Sequence, residues 1–534
     1  MSPRLGWICV LFGWGLLAAV SLVSHPLLPI DETRYATVAW NMWQRGDLLV
    51  PWLNDSPYSD KPPLLFWIIQ AGWAFTGVNE WWPRIGPSLV GLLATLLTGR
   101  IAKRLWPDDE RTAVMSPLIL MGCLWWSIFA VATMFDMLVA CATLLAVLGL
   151  IQAARGRMSR GFAVTGIALG LGLLAKGPTI LLQVLPVAIL APWWTEQTPK
   201  SGWRGWYLGL LAAVLAGLAI VMAWAVPAAI HGGPQYTEQI FWGQTAHRMV
   251  KSFAHRAPFW WYVALTPVMI FPWLFWFPVW PALGRLRAYC SNKDQGLRFC
   301  VAWLAPVFVI FSLISGKQPQ YLLPLLPAFA LGLARLLSLS DQTVLRKHQI
   351  GPAVVALILA VGLSLVPTLA PRFQAPEWVG EISPLSGIAI GLSGLVLLIP
   401  HRVRLEMAVS LITGLGVLLV LTTKWSLIRG AGEAYDMRPI SRYLHTLQQE
   451  GIPLAHEGKY HGQFQFLGRL TNAPETVDPK QIAAWFEQHP RGRLIAYLKR
   501  PPQQIQTEFT QRFYGRFVTI LDAPAWNAIQ SGSR

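Results

Sequence analysis

Runs of about 20 apolar residues recur along this chain, parted by short polar stretches, and nothing else so narrows what it can fold into. A helix of that length crosses the hydrocarbon of a bilayer while satisfying its own backbone groups. Of the 534 residues, 54% are hydrophobic and 13% charged, against roughly a quarter charged in a soluble domain. We therefore expect an α-helical polytopic membrane protein with about thirteen spans. They fall near 5–27, 81–101, 112–131, 135–154, 161–175, 179–194, 207–230, 259–283, 299–315, 321–338, 350–370, 385–400 and 405–425. Several are short, which tilted or broken helices accommodate. The first, Met1 to about Val23 with Arg4 ahead of it, has the look of a signal peptide. No small-x-small cleavage site precedes Asp31, so an uncleaved helix is expected.

The net charge of +17 would suggest nucleic acid in a soluble protein. Here no nucleic-acid-binding motif accompanies it, and the positive-inside rule explains it better. Arg100, Lys103 and Arg104, then Arg155, Arg157 and Arg160, then Arg285, Arg287, Arg346, Lys347, Arg402 and Arg404 fall in alternate loops on the side of Arg4. That side is the cytoplasm. The opposite loops, 28–80 and 231–258, and the tail are poorer in Lys and Arg for their length. The expectation is a cytoplasmic N-terminus, a membrane domain over 1–425 and a periplasmic domain over 426–534 in the bacterial inner membrane. That tail has ordinary polarity, with a helical pattern at Ile440–Gln449 and strand-like stretches at Phe464–Leu467, Leu494–Leu498 and Phe517–Leu521, so a small α/β domain is expected. Cys9, Cys123, Cys141, Cys290 and Cys300 show no metal-site spacing and read as small apolar residues.

The outer loops hold the residues able to do chemistry. The first supplies Asp31, Glu32, Arg34 and Tyr35, then Tyr58, Asp60 and Lys61. Short turns supply Asp136, Lys176, Lys317 and Tyr321, and the second long loop supplies Arg248 and His255. Each has a bland reading: Lys176 and Lys317 as snorkelling charges, Asp136 as a solvated turn. Together they gather bases on the face where orientation disfavours them, and a phosphate at headgroup depth accounts for that. Lys61 before Pro62-Pro63 suits the start of a helix over Leu64–Phe75, whose free N–H groups also favour phosphate. That stretch, and Thr33–Gln44 capped near Asp31, are expected as interfacial helices. Asp31 could take a proton from an attacking hydroxyl. Asp60 with His255 could hold zinc, manganese or magnesium, though such histidines are more often simple hydrogen-bonding groups.

These residues resemble a known family. Asp31-Glu32-Thr33-Arg34-Tyr35-Ala36, Tyr58-Ser59-Asp60-Lys61-Pro62-Pro63, Asp136-Met137, Ala175-Lys176-Gly177-Pro178, His255-Arg256-Ala257-Pro258-Phe259-Trp260, and Lys317 with Tyr321-Leu322-Leu323-Pro324 are similar to stretches of the bacterial lipid A aminoarabinose transferases. They also resemble the protein O-mannosyltransferases, and the likeness runs in order through the membrane portion. The resemblance implies the GT-C fold and an inverting, undecaprenyl-phosphate-sugar-dependent glycosyl transfer on the periplasmic face, onto a lipid A phosphate or another glycolipid, glycan or protein. It implies Asp31 and Asp136 as catalytic, and Lys61, Lys176, Arg248, Lys317 and Tyr321 on substrate phosphate. Arg34, Tyr35 and Tyr58 would hold substrate, and Asp60 with His255 a divalent metal. The aminoarabinose transferases usually carry Glu where this chain has Asp60. No nucleotide is expected, and no P-loop is present. The rival class is a lipid-linked oligosaccharide transporter or flippase. It would want ionisable groups along a path at mid-membrane depth, whereas these cluster at one mouth. A scaffold whose tail recruits partners leaves the loop charges unexplained.

Overall fold

Proline and hydropathy together decide which apolar runs become single helices. The computed structural model describes residues 3–243, 256–291, 294–340, 343–373, 375, 377–380, 382–399, 401–428, 431–501 and 507–532. Among these, nine helices are long and apolar enough to cross a membrane: Pro3–Ser24 (α1), Trp82–Leu105, Phe135–Ala154, Met158–Lys176, Gly202–Trp242, Gln295–Leu313, Pro319–Ser338, Arg346–Phe373 and Leu405–Ser426. Each coincides with an expected span. The other four are short or broken. The 112–131 run is Glu110–Gly122 and Leu124–Phe129, parted at Cys123, whose backbone is extended (ψ 119°). The amide freed there is used: Leu124 N–H donates to Phe271 C=O at 3.0 Å, as a water-poor interior demands. Run 259–283 splits into Trp261–Met269, Trp273–Phe275 and Val279–Gly284 around Pro267, Pro272 and Pro278, residues that deny the helix an N–H. Run 179–194 breaks between Thr179–Ile189 and Ala191–Trp194, and run 385–400 is the short Leu385–Leu398.

Between α1 and Trp82–Leu105 (α4) lie two shorter helices, Asp31–Arg45 (α2) and Leu64–Thr76 (α3). α2 has acids in its first turn, Arg45 in its last and Gly46 in the left-handed conformation (φ +64°), all favourable to the helix ends. Its N-cap is Ile30, with no side-chain cap bond. Asp31 is therefore the first helical residue rather than a cap, and its carboxylate is turned to Arg34 and Tyr35 instead.

The ends of the bundle are set by helix length. α4 has 24 residues, a rise of about 36 Å. Arg84 at its start meets the α1–α2 junction, while beyond its far end Asp109 and Asp294 share Arg335 at 2.8 and 3.0 Å. Phe135–Ala154 (α7) and Met158–Lys176 (α8) form a hairpin packed backbone to backbone. A Cβ on Gly161 would lie 2.6 Å from the carbonyl oxygen of Gly149, so a side chain there would push the pair apart. The segments Glu110–Gly122 and Leu124–Phe129 are α5 and α6.

The C-terminal part forms a five-stranded sheet in the order Glu475–Val477, Leu454–Glu457, Arg493–Leu498, Arg516–Leu521, Phe509–Phe513. The first three are mutually parallel and the last two pair antiparallel. The expected strand at Phe464–Leu467 is instead a helical turn, Gln465–Gly468. All four of its residues are buried, so the two-residue alternation of a half-buried strand is missing. This part shares a core with α2 and α3. Trp73 stacks on Phe466 at 5.2 Å, Thr37 Oγ1 donates to Gly462 C=O at 2.6 Å and Trp40 Nε1 donates to Leu470 C=O at 3.2 Å. All five cysteines are free thiols.

Candidate active site

Equal lengths in the α7–α8 hairpin bring Asp136 and Lys176 together. Asp136 lies in the first turn of a 20-residue helix and Lys176 ends a 19-residue one. An acid at a helix start and a base at a helix end both suit the local backbone charge, and Gly177 (φ +66°) lets the chain leave immediately after Lys176. The Lys176 Nζ–Asp136 Oδ1 distance is 2.5 Å, with side chains 11% and 7% exposed. Nζ also sits 4.5 Å from the centre of the Tyr321 ring, a cation–π contact strengthened by desolvation. Gln183 Nε2 donates to the Tyr321 carbonyl at 3.1 Å, holding that ring's backbone in place.

Asp31 reaches the same end of the bundle by way of α2. Its carboxylate is about half exposed, pairs with Arg34, and lies 3.5 Å from the Tyr35 hydroxyl. Burial, then the Asp31 charge, pushes the Tyr35 phenol well above its ordinary range, so it stays a proton donor. Beneath these polar groups runs an aromatic chain: Tyr35 meets Phe135 at 4.9 Å, Phe135 meets Phe66 at 5.5 Å, and Phe66 meets Tyr58 at 6.3 Å. It ties α2, α7, α3 and the 58–63 loop into one floor. Glu32 adds a polar tie. Its buried carboxylate accepts the N–H of Leu28 at 2.9 Å and of Thr133 at 3.0 Å. Against the penalty of burial, the charges of Arg84 and His25 hold it below the usual carboxylate range.

The remaining expected residues stand apart to different degrees. Asp60 and Lys61 precede α3, are half-buried, and are both engaged in contacts. Lys317 is 4% exposed, and its ammonium donates to the carbonyls of Ala257 (3.1 Å) and Ile314. It latches its own loop to 256–258, where Ala257 N–H also bonds Ser315 C=O at 3.2 Å. In this arrangement those carbonyls occupy its ammonium. Arg248 and His255 lie outside the described residues. Among the described residues no group of three His, Cys, Asp or Glu side chains could hold a metal, and Asp60 supplies one carboxylate.

Phe135, Phe66 and Arg84 lie outside the expected set, and Glu32, one of the first loop's acids, takes a structural part there. Arg84 carried a signal, a charge inside an apolar span. The Glu32–Thr133 tie carried none, because one partner is a backbone amide.

The dolichyl-phosphate-mannose-protein mannosyltransferase family model matches residues 60–226. An undecaprenyl phosphate-alpha-4-amino-4-deoxy-L-arabinose arabinosyl transferase 2 of Pseudomonas fluorescens is 30% identical over 74% of this chain and 71% of its own. The corresponding transferase of Pseudomonas aeruginosa is 31% identical over 70% and 68%. The chain belongs to this arabinosyl transferase family. The transferase fold agrees with that of ArnT from Cupriavidus metallidurans in its apo state, with a TM-score of 0.77 at 20% identity over 97% of this chain and 98% of that one. The form of ArnT bound to undecaprenyl phosphate gives 0.74. The expected GT-C class and the small C-terminal sheet domain both hold. Membership makes the chain a multi-span membrane enzyme, a polyprenyl-phosphate-sugar-dependent glycosyltransferase.

Proposed function

We propose that this transferase moves a sugar, with inversion, from undecaprenyl phosphate to an envelope acceptor at the periplasmic face of the bacterial inner membrane, and that a lipid A phosphate is the acceptor. The Lys and Arg excess in alternate loops supports a cytoplasmic N-terminus and a periplasmic C-terminal domain. The observation that carries the reading is Lys176, an ammonium held between Asp136 and the Tyr321 ring, with Phe135, the neighbour of Asp136, packed edge-on against Tyr35 of the helix that begins at Asp31. An acceptor oxygen attacks the anomeric carbon from the side opposite the phosphate. The carbon–oxygen bond to the phosphate breaks, and its electron pair leaves with the polyprenyl phosphate. Lys176, with Lys61 and Arg248, neutralises that charge. Asp136 aims Lys176. A phosphate acceptor is already anionic and needs no base, whereas a hydroxyl would give its proton to Asp31. A divalent cation on Asp60 and His255 belongs to the same proposal, supported by carboxylate and imidazole donor chemistry alone.

The test is transfer of labelled sugar from undecaprenyl phosphate by the purified protein in detergent. Label appearing on lipid A, and lost on removal of its phosphates, is the expected result. Label found only on protein or on a hydroxyl-bearing glycan, or no transfer at all, overturns it.

A further inference from the structure

A second anionic partner needs a place of its own, and the molecule has one. A cavity of about 810 Å³ opens between the end of α1, the start of α4 and the C-terminal sheet. Neither Asp136 nor Lys176 nor Tyr321 lines it, so it is separate from the ammonium assigned to the donor. Its volume is that of a small-ligand pocket. We propose that this cavity receives a phosphate of the acceptor's headgroup other than the one that attacks, an inference that rests on the transferase reading above and names where the acceptor is held.

Three guanidinium groups line it, those of Arg84, Arg438 and Arg512, against two carboxylates, Glu80 and Asp436. Asp436 is committed: it holds Arg438 in a two-pronged pair at 2.8 and 2.6 Å. Such pairing presents a guanidinium in a set orientation, as recognition of phosphate requires. Arg84 is 4% exposed. Its terminal nitrogens donate to the carbonyls of Ser21 and His25, but its Nε makes no hydrogen bond among the described residues. A buried donor left unmade is unfavourable, and a phosphate oxygen would complete it. The apolar part of the wall comes from Leu22, Trp81, Phe509 and Phe517, so the lining suits an amphiphile better than a free ion.

The cavity is also tied to the reaction centre. The hairpin of Phe509–Phe513 and Arg516–Leu521 lines it, and the tip of that hairpin, Tyr514, donates to the carbonyl of Pro29. Pro29 is two residues before Asp31, so one hairpin borders the acceptor's cavity and touches the segment that carries the reactive carboxylate.

The experiment uses the full-length protein in detergent, an undecaprenyl-phosphate-linked donor and a phosphorylated glycolipid acceptor. Two variants act by different means: Arg512→Ala removes a cation, and Thr510→Trp fills space. Arg512→Ala is expected to raise the acceptor KM about 10-fold, the loss of one charge-assisted contact, and Thr510→Trp to raise it by a similar order by excluding the headgroup, with the donor KM unmoved and Arg512→Lys restoring part of the first loss. Competition by phosphorylated glycolipid but not by millimolar inorganic phosphate is the companion result. Unchanged acceptor KM in both variants of an active enzyme overturns the cavity assignment and leaves the transferase reading intact. Equal competition by inorganic phosphate overturns the amphiphile. A wild-type protein that transfers nothing from the donor overturns the underlying reading instead.

Discussion

The carboxylate of Glu32 accepts the backbone N–H of Thr133 at 3.0 Å, fixing the helix that begins at Asp31 to the turn that leads into Asp136. The segments that carry Asp31 and Asp136 are thereby held together by a third carboxylate. Glu32→Gln keeps one carbonyl acceptor but turns an NH2 toward the other amide and leaves Arg84 without its counter-charge. Leaving a buried amide without its acceptor costs about 1–3 kcal/mol. The variant is expected to unfold several degrees lower and to turn over about 10-fold more slowly, measured by thermal melting and single-turnover transfer. A wild-type melting point contradicts the tie.

Lys176→Met removes the ammonium while keeping an apolar stem over Tyr321. If Lys176 neutralises the departing phosphate, kcat falls on the order of 100-fold, the loss of a transition-state contact. Lys61→Ala, with its charge at the start of α3, is expected to fall by a similar order. Steady-state kinetics with saturating donor reads both, and near-normal turnover would remove the assignment.

Gly462 sits at φ +76°, and a Cβ there would lie 2.7 Å from Leu53 Cδ1 and 2.9 Å from Thr37 Cγ2. Gly462→Ala combines a left-handed backbone penalty of about 1–2 kcal/mol with that clash. It should loosen the C-terminal domain from α2. Limited proteolysis is expected to cut the domain faster, and resistance equal to wild type would count against a shared core.

Burial, then the neighbouring Arg84 guanidinium, lowers His25 to about 4, although Glu32 pulls the other way. The folded protein thus keeps this imidazole neutral while the unfolded chain takes up a proton near 6.5. The contribution is fully present above pH 6.5 and is lost as pH falls from there toward 4, about 3 kcal/mol in all. His456, also lowered to about 4 by burial first, acts in the same window and direction. Melting points of wild type and His25→Asn between pH 7 and 4 should converge on acidification. Parallel curves would dismiss His25 as a source of acid lability.

Dialysis against a chelator is expected to lower transfer, with zinc or manganese restoring it, if Asp60 and His255 share a cation. Asp60→Asn would then be slow and indifferent to chelation. Full activity after exhaustive chelation ends the metal proposal.

Apolar run length made nine helices legible, because a continuous helix is the natural way to keep amides satisfied in lipid. Where prolines intervened, as at Pro267, Pro272 and Pro278, the same run hid a broken path, since hydropathy does not register a missing N–H. Asp136 and Lys176 were readable as two charges on one face, and their union followed from a hairpin of nearly equal arms. The Phe464–Leu467 stretch misled because aromatic, apolar composition suits a strand and a buried turn alike. Arg84, the Glu32 tie and the Tyr514 contact depend on backbone carbonyls and amides far away in the chain, which residue letters do not display.

Thr37 closes on Gly462, 425 positions later, and Pro29 on Tyr514, 485 positions later. During synthesis α2 enters the world early and waits, through the insertion of nearly every span, for the partners that seat it. The α2 seat is therefore among the last places in this enzyme to be completed, and a chain halted after its last span, Leu405–Ser426, but before residue 462 has all its spans and lacks the partners that seat α2.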